Sequence, residues 1–419
     1  MRGPYLIFDK SSLESLNFDE AVMLDNFYSS VITPIFFVEC LADLEKQMRS
    51  NSTPEQLVGS LANRTPEDGT LTIHHLDVLR FELAGEFSMV RLRGGPFIAG
   101  GRSVQLGESK GMMFLPTKEQ EAMQRWMARE FLEAERNYAK LWRRALMGID
   151  LDAMSKSAMA ELGPHWRKSK TLPDAREMAD VLIDHMDPEW LLGFGIDLLG
   201  VSELKEQVIT KWVARRRPPI RDCFPYFTFM LSINIFFYLV LPTQLLSNVK
   251  TSHQIDLAYL YYLPFCSVFT SKDNFHAQIV PLFLNEGQTF VNGIELKNDL
   301  KKLVERYLAL DEAEFNMGMD HYAKYPPDDT SFLTTQLWDK HTPKWRNAPA
   351  PVKLNEQLQG ALREAVKKLG ESSEVPPHNL GSVVDLDYVK MEHKIHLRRG
   401  KWRRYSEEME MRIIESENT

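Results

Sequence analysis

Four carboxylates in this chain lie beside short segments whose apolar pattern predicts regular structure. Asp9 directly follows the apolar run Tyr5–Phe8, and Glu39 lies in an amphipathic helical pattern. Asp256 opens a second helical pattern, and Asp273 follows a predicted strand. Carboxylate oxygens are the ligands that Mg²⁺ and Mn²⁺ prefer, and a few of them hold such an ion together with a substrate phosphate. If the four side chains converge, they predict metal-assisted hydrolysis of a phosphate ester.

The segments around these carboxylates predict an α/β fold. Tyr5–Phe8 is a short apolar run that predicts a buried strand, amphipathic helical patterns follow it, and Ser267–Thr270 predicts another strand. Alternation of strands and helices is typical of a parallel sheet. Because binding sites in open parallel sheets lie beyond the carboxyl ends of the strands, we expect Asp9 and Asp273 to meet there.

Each carboxylate also has a purely structural interpretation. An Asp that follows a strand or opens a helix is a common N-cap, which is an interpretation open to both Asp9 and Asp256. For Asp9 the bonds would come from the amides of Ser11 or Ser12. Glu39 is harder to explain in this way, because its apolar neighbours predict a partly buried helix face where an unpaired carboxylate is costly. The order and spacing of the four together favour a shared site.

These residues resemble the PIN-domain family of nucleases. LIFDKSSL around Asp9, with Glu39 downstream, is similar to the family's first half, in which an Asp ends the first strand and a Glu lies on the second helix. The seventeen positions from Asp256 to Asp273 suit the helix and strand between the family's last two Asp residues. Phe269-Thr270-Ser271 resembles the Thr/Ser element that precedes the last of them.

The resemblance predicts a discontinuous domain. It covers residues 4–48 and 222–290, about a quarter of the chain, and Glu39 and Asp256 are 217 positions apart. A large insertion must therefore separate the two halves of the core. The predicted regions are a PIN-like nuclease core at 1–48 and 216–290, a mostly helical insertion at 49–215, and a helical C-terminal region with a basic tail at 291–419.

What the resemblance implies is a fold, a cofactor and an activity. The fold is a PIN-like three-layer α/β arrangement around a central parallel sheet. The activity is that of a divalent-metal-dependent endonuclease whose four carboxylates hold Mg²⁺ or Mn²⁺ and cut phosphodiester bonds, with RNA preferred to DNA. Ser271 would fix a metal-bound water, and Lys10 would contact phosphate. By analogy alone, an elaborated member of this kind acts as a toxin or phage-defence effector restrained by a regulatory protein partner.

Nucleic-acid contact must come from local basic clusters, because the net charge of the chain is −8. Two clusters carry this prediction, and their members are Arg215, Arg216, Arg217, Arg398, Arg399, Lys401, Trp402, Arg403 and Arg404. The first cluster could line the cleft of the site. In the second, an aromatic among cations suits single-stranded nucleic acid, with a solvated charged tail as the alternative.

Residues 224–242 form an uncharged apolar stretch whose length meets the criterion for a membrane span. If they spanned a bilayer, Asp9 and Glu39 would lie on the opposite side from Asp256 and Asp273, and one metal site cannot be assembled across a membrane. We therefore predict a buried helix, with a membrane-attached protein as the weaker alternative. The other alternative is an inactive PIN-like scaffold that binds a protein partner.

Three further patterns complete the expectations. Apolar residues at three- and four-residue steps predict one long helix over 118–147. The glycine-rich segment 91–111 predicts a surface loop or hairpin. Only three cysteines occur, far apart, which predicts neither a zinc site nor a disulfide framework and fits a reducing, cytoplasmic setting.

Overall fold

A computed structural model describes most of the chain. The described residues are 3–47, 53–67, 69–85, 95–96, 101–106, 109–114, 118–147, 153, 156–157, 160, 169–243, 245–246, 253–347 and 397–417. The strands are β1 Tyr5–Phe8, β2 Ser29–Ile32, β3 Thr70–Leu71, β4 Gly101–Leu106, β5 Ser109–Phe114, β6 Val268–Ser271, β7 Thr289–Asn292, β8 Arg398–Arg399 and β9 Trp402–Arg403.

Helices make up most of the remaining described structure. They are α1 Lys10–Ser15, α2 Phe18–Phe27, α3 Pro34–Gln47, α4 Pro54–Ala62, α5 His75–Ala84, α6 Lys118–Met127, α7 Glu133–Met147, α8 Leu172–His185, α9 Pro188–Leu198, α10 Lys205–Ala214, α11 Ile220–Cys223, α12 Pro225–Val240, α13 His253–Leu260, α14 Asn274–Ile279, α15 Gly293–Leu308, α16 Glu312–Phe315, α17 Met319–Tyr322, α18 Leu333–His341 and α19 Glu407–Glu417. Short 3₁₀ helices lie at Ser202–Leu204, Leu263–Phe265, Val280–Leu282 and Pro343–Asn347.

A five-stranded sheet in the order β3-β2-β1-β6-β7 forms the centre of the molecule, and all its described pairings are parallel. β1 is the middle strand, and its residues Leu6, Ile7 and Phe8 are almost completely buried. Strands buried on both faces are expected to be continuous apolar runs, as β1 is. The prediction of an α/β fold with a parallel sheet is confirmed, and the arrangement is compatible with three layers.

The chain turns sharply after β1 and β2, which brings helix starts to the carboxyl edge of the sheet. After α1, Asn17 and Glu20 form a capping box that starts α2. After β2, the Thr33 hydroxyl accepts from the amide of Phe36 at 3.3 Å, and Pro34 occupies the first turn of α3, where no N–H is needed. α3 therefore begins directly at this edge.

The sheet takes residues from beyond the predicted core. β3 lies within the segment 49–215 that was predicted as an insertion, and it pairs with β2. β7 extends to Asn292, and α15, which follows it, packs on α2 and α18. The boundaries predicted at 48 and 290 therefore do not coincide with the edges of the sheet.

The prediction of one long helix over 118–147 is wrong. α6 ends at Met127 and α7 begins at Glu133, and between them Arg129 adopts a left-handed φ of 60°. The apolar period continues across the break, so periodicity alone could not reveal it. The turn allows α6 to pack on α4 while α7 packs on α3. The glycine-rich segment does contain a hairpin, because β4 pairs antiparallel with β5.

The apolar stretch 224–242 contains α12, whose side chains are mostly buried and which packs on α8. Its amino end is held by Glu82, a buried carboxylate that accepts the amides of Tyr226 and Phe227 at 2.8 and 2.7 Å. The prediction of a buried helix is confirmed. Across the described residues, no helix combines the length and the apolar character that crossing a membrane requires.

Candidate functional site

Asp9 lies where the central strand β1 ends and α1 begins. Its main-chain N–H donates to the carbonyl of Thr270 on β6 at 3.3 Å. Its Oδ1 accepts the amide of Ser12 at 2.9 Å, and its Oδ2 accepts the hydroxyl of Ser11 at 2.8 Å. Asp9 is thus the N-cap of α1, as the structural interpretation predicted, and it is buried. The main-chain cap uses only Oδ1, so Oδ2 accepts hydrogen bonds from side chains.

Ser271 and His276 surround that second oxygen. The Ser271 hydroxyl donates to Asp9 Oδ2 at 2.6 Å and accepts the amide of Asp273 at 3.0 Å. His276 Nδ1 lies 2.9 Å from Ser271 Oγ and 3.3 Å from Asp9 Oδ2, while Nε2 lies 2.8 Å from the main-chain oxygen of Asp256. Because both ring nitrogens face acceptors, both carry hydrogen. The fully buried ring is therefore an imidazolium paired with Asp9.

Glu39 reaches the same edge of the sheet from α3. Its Oε2 accepts the amide of Lys10 at 3.2 Å and the hydroxyl of Tyr259 at 2.6 Å. Tyr259 lies on α13 one turn after Asp256, and residues three apart share a helix face. One helix therefore supplies a carboxylate of the cluster and the hydroxyl that orients another.

Asp256 and Asp273 complete the cluster, and both are half-buried. Asp256 lies in the first turn of α13. Asp273 is the N-cap of α14, and its Oδ1 accepts the amide of Phe275 at 2.6 Å. The four carboxylates that the sequence singled out come from the ends of β1 and β6 and from α3 and α13, and they are close enough to interact through their charges.

The pKa values of Glu39 and Asp256 reflect their burial and the charges of the neighbouring carboxylates. Burial, and then the charge of Asp9, raise the pKa of Glu39 to about 8. Burial raises the pKa of Asp256 to about 7, with the charges of Asp273 and Asp9 adding to it and His276 opposing it. A divalent cation would stabilise the ionised form of these two acids, because its charge offsets the repulsion between the carboxylates.

The pKa of Asp9 moves in the opposite direction. Burial alone would raise it, but the hydrogen bond and charge of His276, together with Ser271 and Ser12, lower it below its usual value. For His276, burial would lower the pKa, but Asp9 and Asp256 raise it to about 9. The pair is therefore ionised at neutral pH.

The donor set fits a hard divalent cation, although the side-chain positions are not those of a closed metal site. Within the described part of the chain, no group of three or more His, Cys, Asp or Glu side chains is arranged to hold a metal ion. The carboxylates are instead held by protein hydrogen bonds. Mg²⁺ retains several waters and needs only one or two direct carboxylates, so oxygen donors of this number and type suit it.

Lys10 does not have the position that its predicted contact with phosphate requires. Its side chain is buried, and Nζ lies 2.7 Å from Asp43 and 3.3 Å from Glu14. Moving the ammonium to a substrate would break both ion pairs of this buried lysine. Its main-chain N–H contributes to the site instead, through Glu39. The structure therefore corrects the role predicted for the Lys10 side chain.

The cluster Arg215–Arg217 does not line the carboxylate site. Lys211, one turn earlier, donates to the carbonyl of Ala84 near the amino end of α12, whereas Phe237 in the last part of α12 packs on Phe275 beside the carboxylates. Ten helical residues separate Phe227 from Phe237, a rise of about 15 Å. Arg217 is also paired with Glu189 at 2.7 Å. The prediction that this cluster lines the cleft of the site is therefore wrong.

The C-terminal cluster 398–404 was predicted as a nucleic-acid surface, but its cations and its aromatic are engaged within the chain. Arg399 is buried, lies 2.6 Å from Asp25, and donates to the carbonyls of Asn63 and Thr65 at 3.0 and 2.8 Å. This one side chain joins the β8–β9 hairpin to α2 and to the loop after α4.

The other members of the cluster have similar partners. Lys401 and the Trp402 indole both donate to Asp19, at 2.8 and 2.7 Å. Arg398 and Arg403 pair with Glu410 on α19, and the guanidinium of Arg404 lies over the Tyr405 ring. We call residues 397–405 the C-terminal clasp. Four of its five cations pair with carboxylates of the chain, so the predicted open basic patch is corrected to a set of contacts within the protein.

Sequence reasoning missed three side chains that organise the site: Ser11, Tyr259 and His276. Ser11 follows Asp9 in LIFDKSSL, where a second hydroxyl beside a cap is a usable signal. Tyr259 has the three-residue spacing from Asp256 that places both on one helix face. His276 carries no such signal, because its partners belong to three different elements.

Comparison of the chain with protein-family models, with curated proteins and with solved structures finds no match.

Proposed function

We propose that this chain is a divalent-metal-dependent endonuclease with a PIN-like core, and that its preferred substrate is RNA. The observation that carries the proposal is the convergence of Asp9, Glu39, Asp256 and Asp273 at the carboxyl edge of a parallel sheet, in the chain order typical of that family. The raised pKa values of Glu39 and Asp256 support it, because strongly shifted acids in one cluster are a mark of functional sites.

In this proposal the four carboxylates hold Mg²⁺ or Mn²⁺, directly or through water. When bound, such an ion lowers the pKa of a coordinated water and offsets the charge that develops on the phosphate. The chain's own groups do the positioning. His276 and Ser271 hold Asp9 Oδ2, and Tyr259 holds Glu39, so both carboxylates keep their orientation as substrate enters.

Cleavage of labelled single-stranded RNA, transfer RNA and single-stranded DNA by purified protein with Mg²⁺ or Mn²⁺ tests the proposal. We expect the wild type to cut RNA, and Asp9→Asn and Asp273→Asn to lose more than about 100-fold of the rate, since even outer partners of a metal site contribute 10- to 100-fold. Asn is also a good N-cap, so both variants keep the hydrogen bonds that start α1 and α14.

Asp187→Asn is the matched control. Asp187 caps α9 through the amide of Trp190 at 2.8 Å, as Asp9 and Asp273 cap their helices, but α9 carries none of the four carboxylates of the site. Its substitution should leave cleavage unchanged. Equal cutting by wild type, Asp9→Asn and Asp273→Asn would identify a contaminating nuclease and contradict the proposal.

A second candidate is a PIN-like scaffold without activity that binds a protein partner. The arrangement of the side chains favours it, because no three described acidic or imidazole groups are positioned to hold an ion together. Calorimetric titration with Mn²⁺ separates the two. Binding that is lost in Asp9→Asn supports the nuclease, whereas no binding together with no cleavage supports the scaffold.

A further inference from the structure

Lys272 is an exposed lysine between two residues of the site, Ser271 and Asp273. Its ammonium has no ion-pair or hydrogen-bond partner in the described ranges. The other lysines nearby are engaged: Lys10 with Asp43, and Lys297 with Glu20 at 3.2 Å. Lys272 is thus an open cation beside the carboxylate cluster.

The main chain at Lys272 is held by the site itself. Its N–H donates to Ser11 Oγ at 3.2 Å, and Ser11 in turn donates to Asp9. On the other side, a Cβ added to Gly293 would lie 3.2 Å from the same nitrogen and 2.7 Å from Ser12 Oγ. Only a glycine allows the start of α15 to approach so closely. The peptide is therefore enclosed on both sides, and the side chain extends to solvent.

Position and charge together suit contact with a substrate phosphate. Consecutive Cα atoms are about 3.8 Å apart, so the Lys272 side chain starts one residue from the carboxylate of Asp273. The first turn of the sixteen-residue helix α15 lies against the same peptide, and helix amino ends carry partial positive charge. A nucleic-acid strand that brings one phosphate to the carboxylates presents its next phosphate to a neighbouring cation.

We propose that Lys272 binds the backbone phosphate next to the scissile one, so that the substrate strand leaves the site over the β6–β7 side of the sheet. The proposal rests on the proposed nuclease function. It assigns to Lys272 the phosphate contact that the ion pairs of the buried Lys10 side chain prevent. Phosphate contacts position a strand without reading its sequence, so Lys272 would contribute affinity and register rather than base preference.

Binding of a fluorescently labelled 20-nucleotide oligouridine tests the proposal. The titration is made with Ca²⁺, and a gel checks that the RNA remains intact. Four proteins are compared over a range of salt concentrations: wild type, Lys272→Ala, Lys272→Arg and Lys344→Ala. Lys344 is the matched control. It is exposed and lies just after α18. His341 of α18 contacts Thr289 at the amino-terminal end of β7, whereas the carboxylates lie at the carboxyl ends of the strands.

Loss of one phosphate contact should weaken binding by Lys272→Ala about fivefold, which corresponds to about 1 kcal/mol. It should also flatten the plot of log affinity against log salt by about 0.7. Lys272→Arg, which keeps the charge, should restore both, and Lys344→Ala should match wild type. The affinity of Lys272→Ala for Mn²⁺, measured by calorimetry, should not be lower than that of wild type, because the Lys272 ammonium repels the metal ion.

Two results overturn the inference, and they are distinguishable. If wild type binds and cuts RNA while Lys272→Ala has the affinity and salt slope of Lys344→Ala, the inference is wrong and the nuclease function stands. If wild type neither binds nor cuts the RNA, the proposed function and the inference fall together.

Discussion

His276 Nδ1 lies 3.3 Å from Asp9 Oδ2 in a part of the protein that solvent does not reach, and the opposite nitrogen of the ring lies 2.8 Å from the main chain of Asp256. The ring thus joins the end of β1 to the first turn of α13. It neutralises one of four acids that would otherwise repel one another, and leaves Glu39 and Asp256 as the acids whose pKa values are raised.

Replacing His276 with Gln should destabilise the protein by about 3 kcal/mol near pH 6, because its pKa of about 9 exceeds the ordinary 6.5. A raised histidine pKa contributes stability that is complete below pH 6.5 and is lost as pH rises through 9. Asp9, whose pKa is lowered, contributes stability above about pH 4. The difference between wild type and variant in urea unfolding should therefore be largest between pH 4 and 6.5 and shrink towards pH 9.

His185→Gln is the control for that series, because His185 is exposed on α8 and, among the described residues, its ring hydrogen-bonds only to the carbonyl of Val181. Its effect should stay within about 0.5 kcal/mol at every pH. A loss in His276→Gln that is constant from pH 5 to 9 would contradict an ion pair and indicate packing alone.

Affinity for Mn²⁺ should rise with pH between about 6 and 8. Burial and the charge of Asp9 raise the pKa of Glu39 to about 8, and burial raises that of Asp256 to about 7, so both release protons when a cation binds. Calorimetry in two buffers of different ionisation enthalpy measures the protons released. Glu39→Gln should remove the upper part of this dependence, whereas affinity that is flat from pH 6 to 9 would contradict the prediction.

Tyr259→Phe should weaken Mn²⁺ binding about 10-fold at pH 7, because it removes the 2.6 Å hydrogen bond that orients Glu39 and stabilises its charge. The matched control is Tyr262→Phe. Tyr262 is equally buried, but its hydroxyl accepts the amide of His75 at 3.0 Å, away from the carboxylates. Both variants should lose about 1 kcal/mol of stability, and only the first should lose affinity. Equal metal affinity in the two would exclude Tyr259 as a positioning residue.

Arg399→Ala should destabilise the protein by about 3 to 5 kcal/mol, because it removes the guanidinium counter-ion of the largely buried Asp25 carboxylate. Lys401→Ala, which removes an exposed partner of Asp19 from the same clasp, should cost less than about 1 kcal/mol. Thermal and urea unfolding measure both. The RNA affinity of folded Lys401→Ala should equal that of wild type. A weaker dependence of RNA affinity on salt in this variant would contradict this and indicate that the clasp contacts nucleic acid.

The local chemistry of the site was predictable from the sequence. The apolar run before Asp9, the helical pattern around Glu39 and the strand before Asp273 predicted where each carboxylate lies, because strands and helices follow from short-range periodicity. The burial of α12 followed from the same kind of argument. Periodicity failed over 118–147, where the turn at Arg129 leaves the apolar repeat unchanged while the helix is interrupted.

The sequence by itself determined which residue types stand at the ends of the central strands, and that the sheet is parallel. Only the tertiary structure decided their partners. Ser271 meets Asp9 across 262 positions, and Tyr259 meets Glu39 across 220. The same holds for the cations, because charge is visible in a sequence while its neutralisation is not. Lys10 and Arg399 are buried in ion pairs and Lys272 is exposed, and that difference depends on which distant carboxylates the fold brings within reach of each side chain.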